Sequence, residues 1–220
     1  MSVAILFFGA LAAIAVWWLS QQRLTAKPWL EEGPIGDLRS ADAWSLTPKI
    51  GLGIFLAVVG SLFSLFILAY SIRLGMGDWK PLPPPKLLWL NTGVLILSSL
   101  ALHWAQVAAR RGEIDGVRTG LLAGGASALA FLAGQLLAWK QLTAAGYYLA
   151  TNPANSFFYL LTAAHGLHLL GGLVALGRTV AKAWLGFGME QVRLSVELCA
   201  IYWHFLLLVW LVLFALLLRG

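Results

Sequence analysis

Charge is what this 220-residue chain has least of. Only 11% of its residues are Asp, Glu, Lys or Arg, against about 25% in an ordinary soluble domain. So little charge, beside so much apolar content, excludes a disordered chain. A single cysteine, Cys199, excludes an intrachain disulfide and a cysteine-rich metal site. There is no Gly-x-Ser-x-Gly, no His-Glu-x-x-His and no Cys-x-x-Cys-His, so the local signatures of hydrolases, zinc proteases and covalent haem are missing. Gly171-Gly172 lacks the Lys-Ser/Thr that would make it a phosphate loop. No polar stretch exceeds roughly 30 residues, too short for an independent soluble core.

What is present is apolar: 60% of the residues are hydrophobic. The net charge of +6 does not indicate nucleic-acid binding, because the basic residues fall between apolar runs. Six stretches are long enough to span a bilayer: 3–19, 50–72, 87–109, 119–139, 156–177 and 196–218. A hydrocarbon core of roughly 30 Å needs about 20 helical residues. Helices satisfy their own backbone groups in lipid, as an open sheet cannot. The expected fold is therefore all-α, a polytopic membrane bundle of about six helices. Its parts are an N-terminal span (1–19), a connector on the cytoplasmic side (20–49) and a five-helix bundle (50–220). Met1-Ser2 gives no positive n-region and no clean cleavage site follows Trp17-Trp18, so 3–19 reads as a retained helix rather than a signal peptide.

Ten of the fifteen Lys and Arg fall on one side of such a bundle: Arg23, Lys27, Arg39, Lys49, Arg110, Arg111, Arg118, Arg178, Lys182 and Arg193. The positive-inside rule makes that side cytoplasmic and puts both termini outside. Connector 20–49 has room for a short amphipathic piece around Trp29 or Trp44. The run Lys80-Pro81-Leu82-Pro83-Pro84-Pro85 cannot be helical and reads as a stiff extended strap. Trp79, Trp89, Trp139 and Trp184 sit near span ends, where interfacial anchoring accounts for them.

Ionisable side chains inside spans default to a functional hypothesis. His103, His165, His168 and His204 all lie in apolar stretches. They could ligate a haem or a metal. Against that, His165 and His168 are too close to be opposite axial ligands of one haem, and bulky Tyr202, Trp203 and Phe205 surround His204. Hydrogen bonding between helices is the simpler role. Glu197 opens the last span, and a proton-relay role stands beside a solvated or Arg193-paired one. Asp78, Glu113, Asp115 and Glu190 are expected in connectors, so no second carboxylate would join it. Gly120, Gly124, Gly125 and Gly134 mark one close-packing helix, and Gly166, Gly171, Gly172 and Gly177 the next.

Three stretches together resemble one family. They are Leu90-Asn91-Thr92-Gly93 running to Ser98-Ser99 and His103-Trp104-Ala105; Asn155-Ser156-Phe157-Phe158 running to His165-Gly166-Leu167-His168 and Gly171-Gly172; and Glu197 followed by Tyr202-Trp203-His204-Phe205 and Val209-Trp210. In this order and spacing, over roughly residues 48–218, they look like subunit III of the haem-copper cytochrome c oxidases. The resemblance implies an all-helical accessory subunit that carries no haem and no copper. Both groups would reside in partner subunits. It would pack on subunit I, meet subunit II and other respiratory chains, and bind phospholipids in the bacterial inner membrane.

The chain departs from the family at two acidic positions. Val59 stands where a span glutamate is usual, and Leu206-Leu207 replaces Val-Asp after Trp-His-Phe. It also has one expected helix before the shared five, where the seven-helix form has two. Asn155, His165, His168, Glu197, Trp203 and His204 are the expected inter-helix and lipid contacts, with His165, His168 and His204 expected to converge. No residue here is expected to bind a cofactor or a metal. A short subunit III of this sort also resembles the accessory subunits of nitric oxide reductases; a membrane haem protein using the four histidines and a small transporter are the other readings.

Overall fold

The computed structural model describes residues 41–83 and 85–219. The expected span 3–19 and most of connector 20–49 lie outside the described residues. The chain divides into two compact units, one ending at Ser71 and one beginning at Ile72. Five helices are present among the described residues: α1 (Ala41–Arg73), α2 (Leu87–Arg111), α3 (Ile114–Ala144), α4 (Pro153–Trp184) and α5 (Met189–Leu217). Each contains a window long and apolar enough to cross a membrane.

Every helix except α2 runs well past its apolar stretch. At about 1.5 Å per residue, the 31 residues of α3 extend roughly 46 Å, more than the hydrocarbon core needs. Apolar patterning reports only the part in hydrocarbon, whereas the backbone goes on bonding to itself in the headgroup layer. Charges expected in connectors therefore sit on helical turns. Asp115 and Arg118 lie in the first turns of α3, Lys182 in the last turn of α4 and Glu190 in the first turn of α5. The connector expected to end at residue 49 is likewise helical from Ala41. Pro48 falls inside that helix, where the missing N–H removes one backbone bond. The membrane-length part of α1 begins there. Along α1, Val59, Phe63, Ile67 and Tyr70 are buried and Ile54, Val58, Leu65 and Ile72 exposed, which gives the helix one inward stripe.

The second unit is a ring of four antiparallel helices. α2 packs on α3 and α5, and α4 packs on the same two. Short turns enforce this order. The α2–α3 turn closes at Gly112, whose φ of 76° is the left-handed conformation that favours glycine. Its N–H bonds back to Ala108 and Ala109 carbonyls. Before α4, Asn152 caps the helix by accepting from Ala154 N–H at 3.2 Å, and Pro153 occupies the first turn. The proline-rich stretch 79–83 is neither helix nor strand. It is tied to that cap: the Lys80 carbonyl accepts from Asn152 Nδ2 at 2.5 Å, and Trp79 lies 6.2 Å from Phe157.

Small residues set the spacing between α2 and α3. Gly116, Gly120 and Gly124 recur every turn on α3. A Cβ on them would stand 2.9 Å from Ala108 Cβ, 2.7 Å from Ala105 Cβ and 2.8 Å from Leu102 Cγ. With no hydrophobic drive between helices in lipid, such close backbone approach supplies the packing energy. On α4 only part of the expected glycine surface has this role. Gly172 lies beneath Tyr202 and Trp203 of α5, whereas Gly171 and Gly177 face open space. The i and i+1 neighbours of an apolar run point in different directions, so a glycine pair cannot serve one seam with both members.

Replacing Gly120 by Leu should push α2 from α3 and destabilise the chain by about 1–3 kcal/mol. Gly177→Ala, placed in open space, should leave stability unchanged or raise it by about 0.5–1 kcal/mol through helix propensity. Thermal midpoints in mild detergent check this; equal midpoints for the two variants would contradict the packing.

Candidate functional site

Three side-chain hydrogen bonds join α5 to α2. Two tryptophans on α5, two turns apart, reach across to hydroxyls on α2. Trp203 Nε1–H donates to Ser98 Oγ at 2.9 Å, and Ser98 donates onward to the Gly124 carbonyl of α3 at 2.7 Å. Trp210 Nε1–H donates to Thr92 Oγ1 at 3.0 Å, whose hydroxyl donates to Leu88 O at 2.8 Å. Both indoles are almost fully buried. Neither N–H could be left open in a lipid-excluded, water-free interior.

Trp210 is also where all four helices meet. Its ring lies 4.9 Å from Phe131 of α3 in an edge-to-face arrangement and 5.1 Å from His165 of α4. Phe131 and His165 are 5.8 Å apart. One turn away along α3, Gln135 meets Asn91 of α2, whose Nδ2 donates to the Gln135 Oε1 at 3.4 Å and the Phe131 carbonyl at 3.3 Å. Gly134 makes room for Asn91, since a Cβ there would collide with that amide.

The six nominated residues fall into separate places. Trp203 and His165 belong to this interior. His168, one turn from His165, is half-buried; its Nδ1 lies 2.7 Å from the Ala164 carbonyl of its own helix. Its own carbonyl accepts from Tyr202 at 2.8 Å. Asn155 donates to the Tyr148 carbonyl and to Thr151 Oγ1, both at 3.0 Å, and so fastens the turn that precedes α4. Glu197 is half-buried, two turns from His204 on α5. His204 is exposed and faces α2: its Nδ1 lies 2.5 Å from Ser99 Oγ and its ring 5.7 Å from the exposed His103. The expected convergence of His165, His168 and His204 is not the arrangement found. Neighbouring helices in sequence share a seam, but His204 lies on the side of α5 turned towards α2.

The sequence reading did not nominate Thr92, Ser98, Ser99, Gln135 or Trp210. The signal was available: two α2 hydroxyls and two α5 indoles, each pair about two turns apart, can match across an antiparallel seam.

Two clasps close the ends of the bundle. At one, Arg118 donates to the Ala183 carbonyl at 3.2 and 3.1 Å and covers Trp184 at 5.2 Å, while Lys182 donates to Ser195 at 2.9 Å. At the other, Trp139 donates to Thr162 and Tyr159 to the Tyr147 carbonyl, both at 3.0 Å. There an open groove of about 560 Å³ runs between α3 and α4, lined by Ala133, Leu136, Leu137, Trp139, Lys140, Thr143 and Tyr159. Among the described residues, no group of three or more His, Cys, Asp or Glu side chains is placed to hold a metal ion. The His103–His204 pair offers two ligands, fewer than protein zinc sites use.

Comparison with known proteins gives one consistent result. The family model of cytochrome c oxidase subunit III matches residues 49–218. A protein named cytochrome c oxidase subunit 3 from Thermostichus vulcanus is 34% identical over 173 residues, covering 76% of this chain and 85% of its own length. One of the same name from Synechocystis sp. is 34% identical over 172 residues, 76% of this chain and 72% of that protein. Another from Glycine max is 32% identical, covering 67% of this chain and 56% of its own length. These matches do not favour the nitric oxide reductase alternative.

The Trp203–Ser98 bond should appear as a coupling. In a double-mutant cycle of Trp203→Phe with Ser98→Ala, unfolding free energies should deviate from additivity by about 0.6–1.7 kcal/mol, the range of inter-helix bonds in lipid. Additive losses would remove this bond from the account of how α5 docks.

Proposed function

The chain belongs to the cytochrome c oxidase subunit III family, and we propose that it serves an oxidase complex as a redox-inactive accessory subunit. The observation that carries this reading is the family match over 49–218, which takes in all but the first residues of α1 and all of the four-helix ring. Haem and copper reside in partner subunits. This chain stabilises the catalytic subunit I, its main contact, in a complex that reduces oxygen with electrons from a cytochrome c and moves protons in parallel. The disposition of polar side chains supports that division of labour. Trp203, Trp210, Asn91 and Gln135 are used in bonds between helices.

The chain lies in a bacterial inner membrane as a multi-pass protein, with both termini outside. The Lys/Arg asymmetry supports this orientation. Phospholipid is a further partner. The groove between α3 and α4 is lined by aliphatic Ala133, Leu136 and Leu137 together with Lys140, Trp139 and Tyr159. That combination suits an acyl chain below an anionic headgroup.

A mild-detergent pull-down through a tag on Gly220 tests the reading. The whole eluate should hold haem and copper, and the chain separated from it should hold neither. Haem with non-haem iron and no copper would move the assignment to a nitric oxide reductase. A Soret band kept by the separated chain would overturn the redox-inactive role.

A further inference from the structure

The outer surface of the four-helix ring is aliphatic at mid-depth, with one interruption. α3 presents Leu122, Leu129 and Leu136, and α4 presents Leu160, Leu167 and Val174. Among the described residues of α2–α5, the exposed ionisable side chains at least two turns from a helix end are His103 and His204. They are not scattered. Their ring centroids are 5.7 Å apart, across the seam between α2 and α5. A polar group on a lipid-facing surface at this depth is expensive, and such groups normally face protein or a water-filled space.

The hydrogen bonding around the pair fixes what it asks of a neighbour. Ser99 Oγ lies 2.5 Å from His204 Nδ1. Ser99 has no other acceptor among the described residues, so its hydroxyl donates to Nδ1 and leaves the proton of a neutral ring on Nε2. His204 then offers an N–H away from Ser99. His103 makes no hydrogen bond among the described residues, and its imidazole also carries an N–H. Two donors from rings 5.7 Å apart match an acceptor with two oxygens. A carboxylate is the side chain that supplies both.

Resting on the assignment to an oxidase complex, we propose that the His103–His204 seam is the face on which another oxidase subunit packs, through a transmembrane helix that presents a carboxylate to the two imidazoles. Tryptophan at position 104, 51% exposed beside His103, adds the large apolar contact that such interfaces favour.

The experiment uses the assembled, tagged complex with a photo-crosslinking residue at Leu100, 58% exposed and one turn from His103. The control carries it at Leu129 of α3, also 58% exposed. Leu100 should crosslink to another oxidase subunit and Leu129 should not. His103→Leu should weaken retention of that subunit roughly threefold or more. His103→Gln, which keeps an N–H, should recover most of it. Because His103 makes no hydrogen bond among the described residues, neither variant should move the isolated chain's thermal midpoint. A complex that still copurifies with haem and copper, but whose Leu100 reaches only lipid, a second copy or its own chain, would overturn the seam and leave the oxidase assignment standing. Failure of the wild-type chain to copurify with any oxidase subunit would overturn both.

Discussion

The constraint on which the second unit depends is that no indole N–H can go unbonded inside a bilayer. Trp203 and Trp210 are the two largest fully buried side chains, and both are on α5. Each needs an acceptor that is not its own backbone, and α2 supplies Ser98 and Thr92 at matching separations. Two bonds about 10 Å apart along the helix determine sliding and rotation together. Lipid tails are as apolar as the leucines of α5, so polar contacts of this kind are what select its register.

Everything around these two rings is arranged to admit them. Gly172 is without a side chain because Tyr202 and Trp203 occupy its place. Phe131 and His165 complete the layer at Trp210 from α3 and α4. The glycine column on α3 brings α2 close, and that approach carries Ser98 to the Gly124 carbonyl. The glycines and the hydroxyls are thus one feature. Widening the α2–α3 spacing would move Ser98 off Gly124 and the Trp203 acceptor with it.

Much of this was legible in the chain and some was not. Five described spans, the family and the α3 glycines follow from apolar run length, motif order and residue size. The helix ends were not legible. A helix leaving the hydrocarbon keeps its backbone bonds while its composition turns polar, so Arg118 and Glu190 looked like connector residues although they lie on turns. The partners of the histidines were not legible either. Whether His204 faces α2 or α4 depends on the rotation of α5, which a uniformly apolar helix does not reveal. That rotation is set by Trp203 and Trp210.

The same distinction separates structural polarity from the other kind. Inside the ring, the side chains Asn91, Gln135, Ser98, Thr92, Trp203 and Trp210 are bonded across a helix seam, and that pairing gives the bundle its specificity. The resemblance implies acidic side chains at two positions, where this chain holds Val59, 3% exposed, and Leu207. A carboxylate at a site as buried as Val59 would need a charged or hydrogen-bonding neighbour, and an aliphatic side chain removes that demand. Glu197 is then the carboxylate deepest in any described span of this chain. Among the described residues of α2–α5, the exposed ionisable side chains far from the helix ends lie together on one seam.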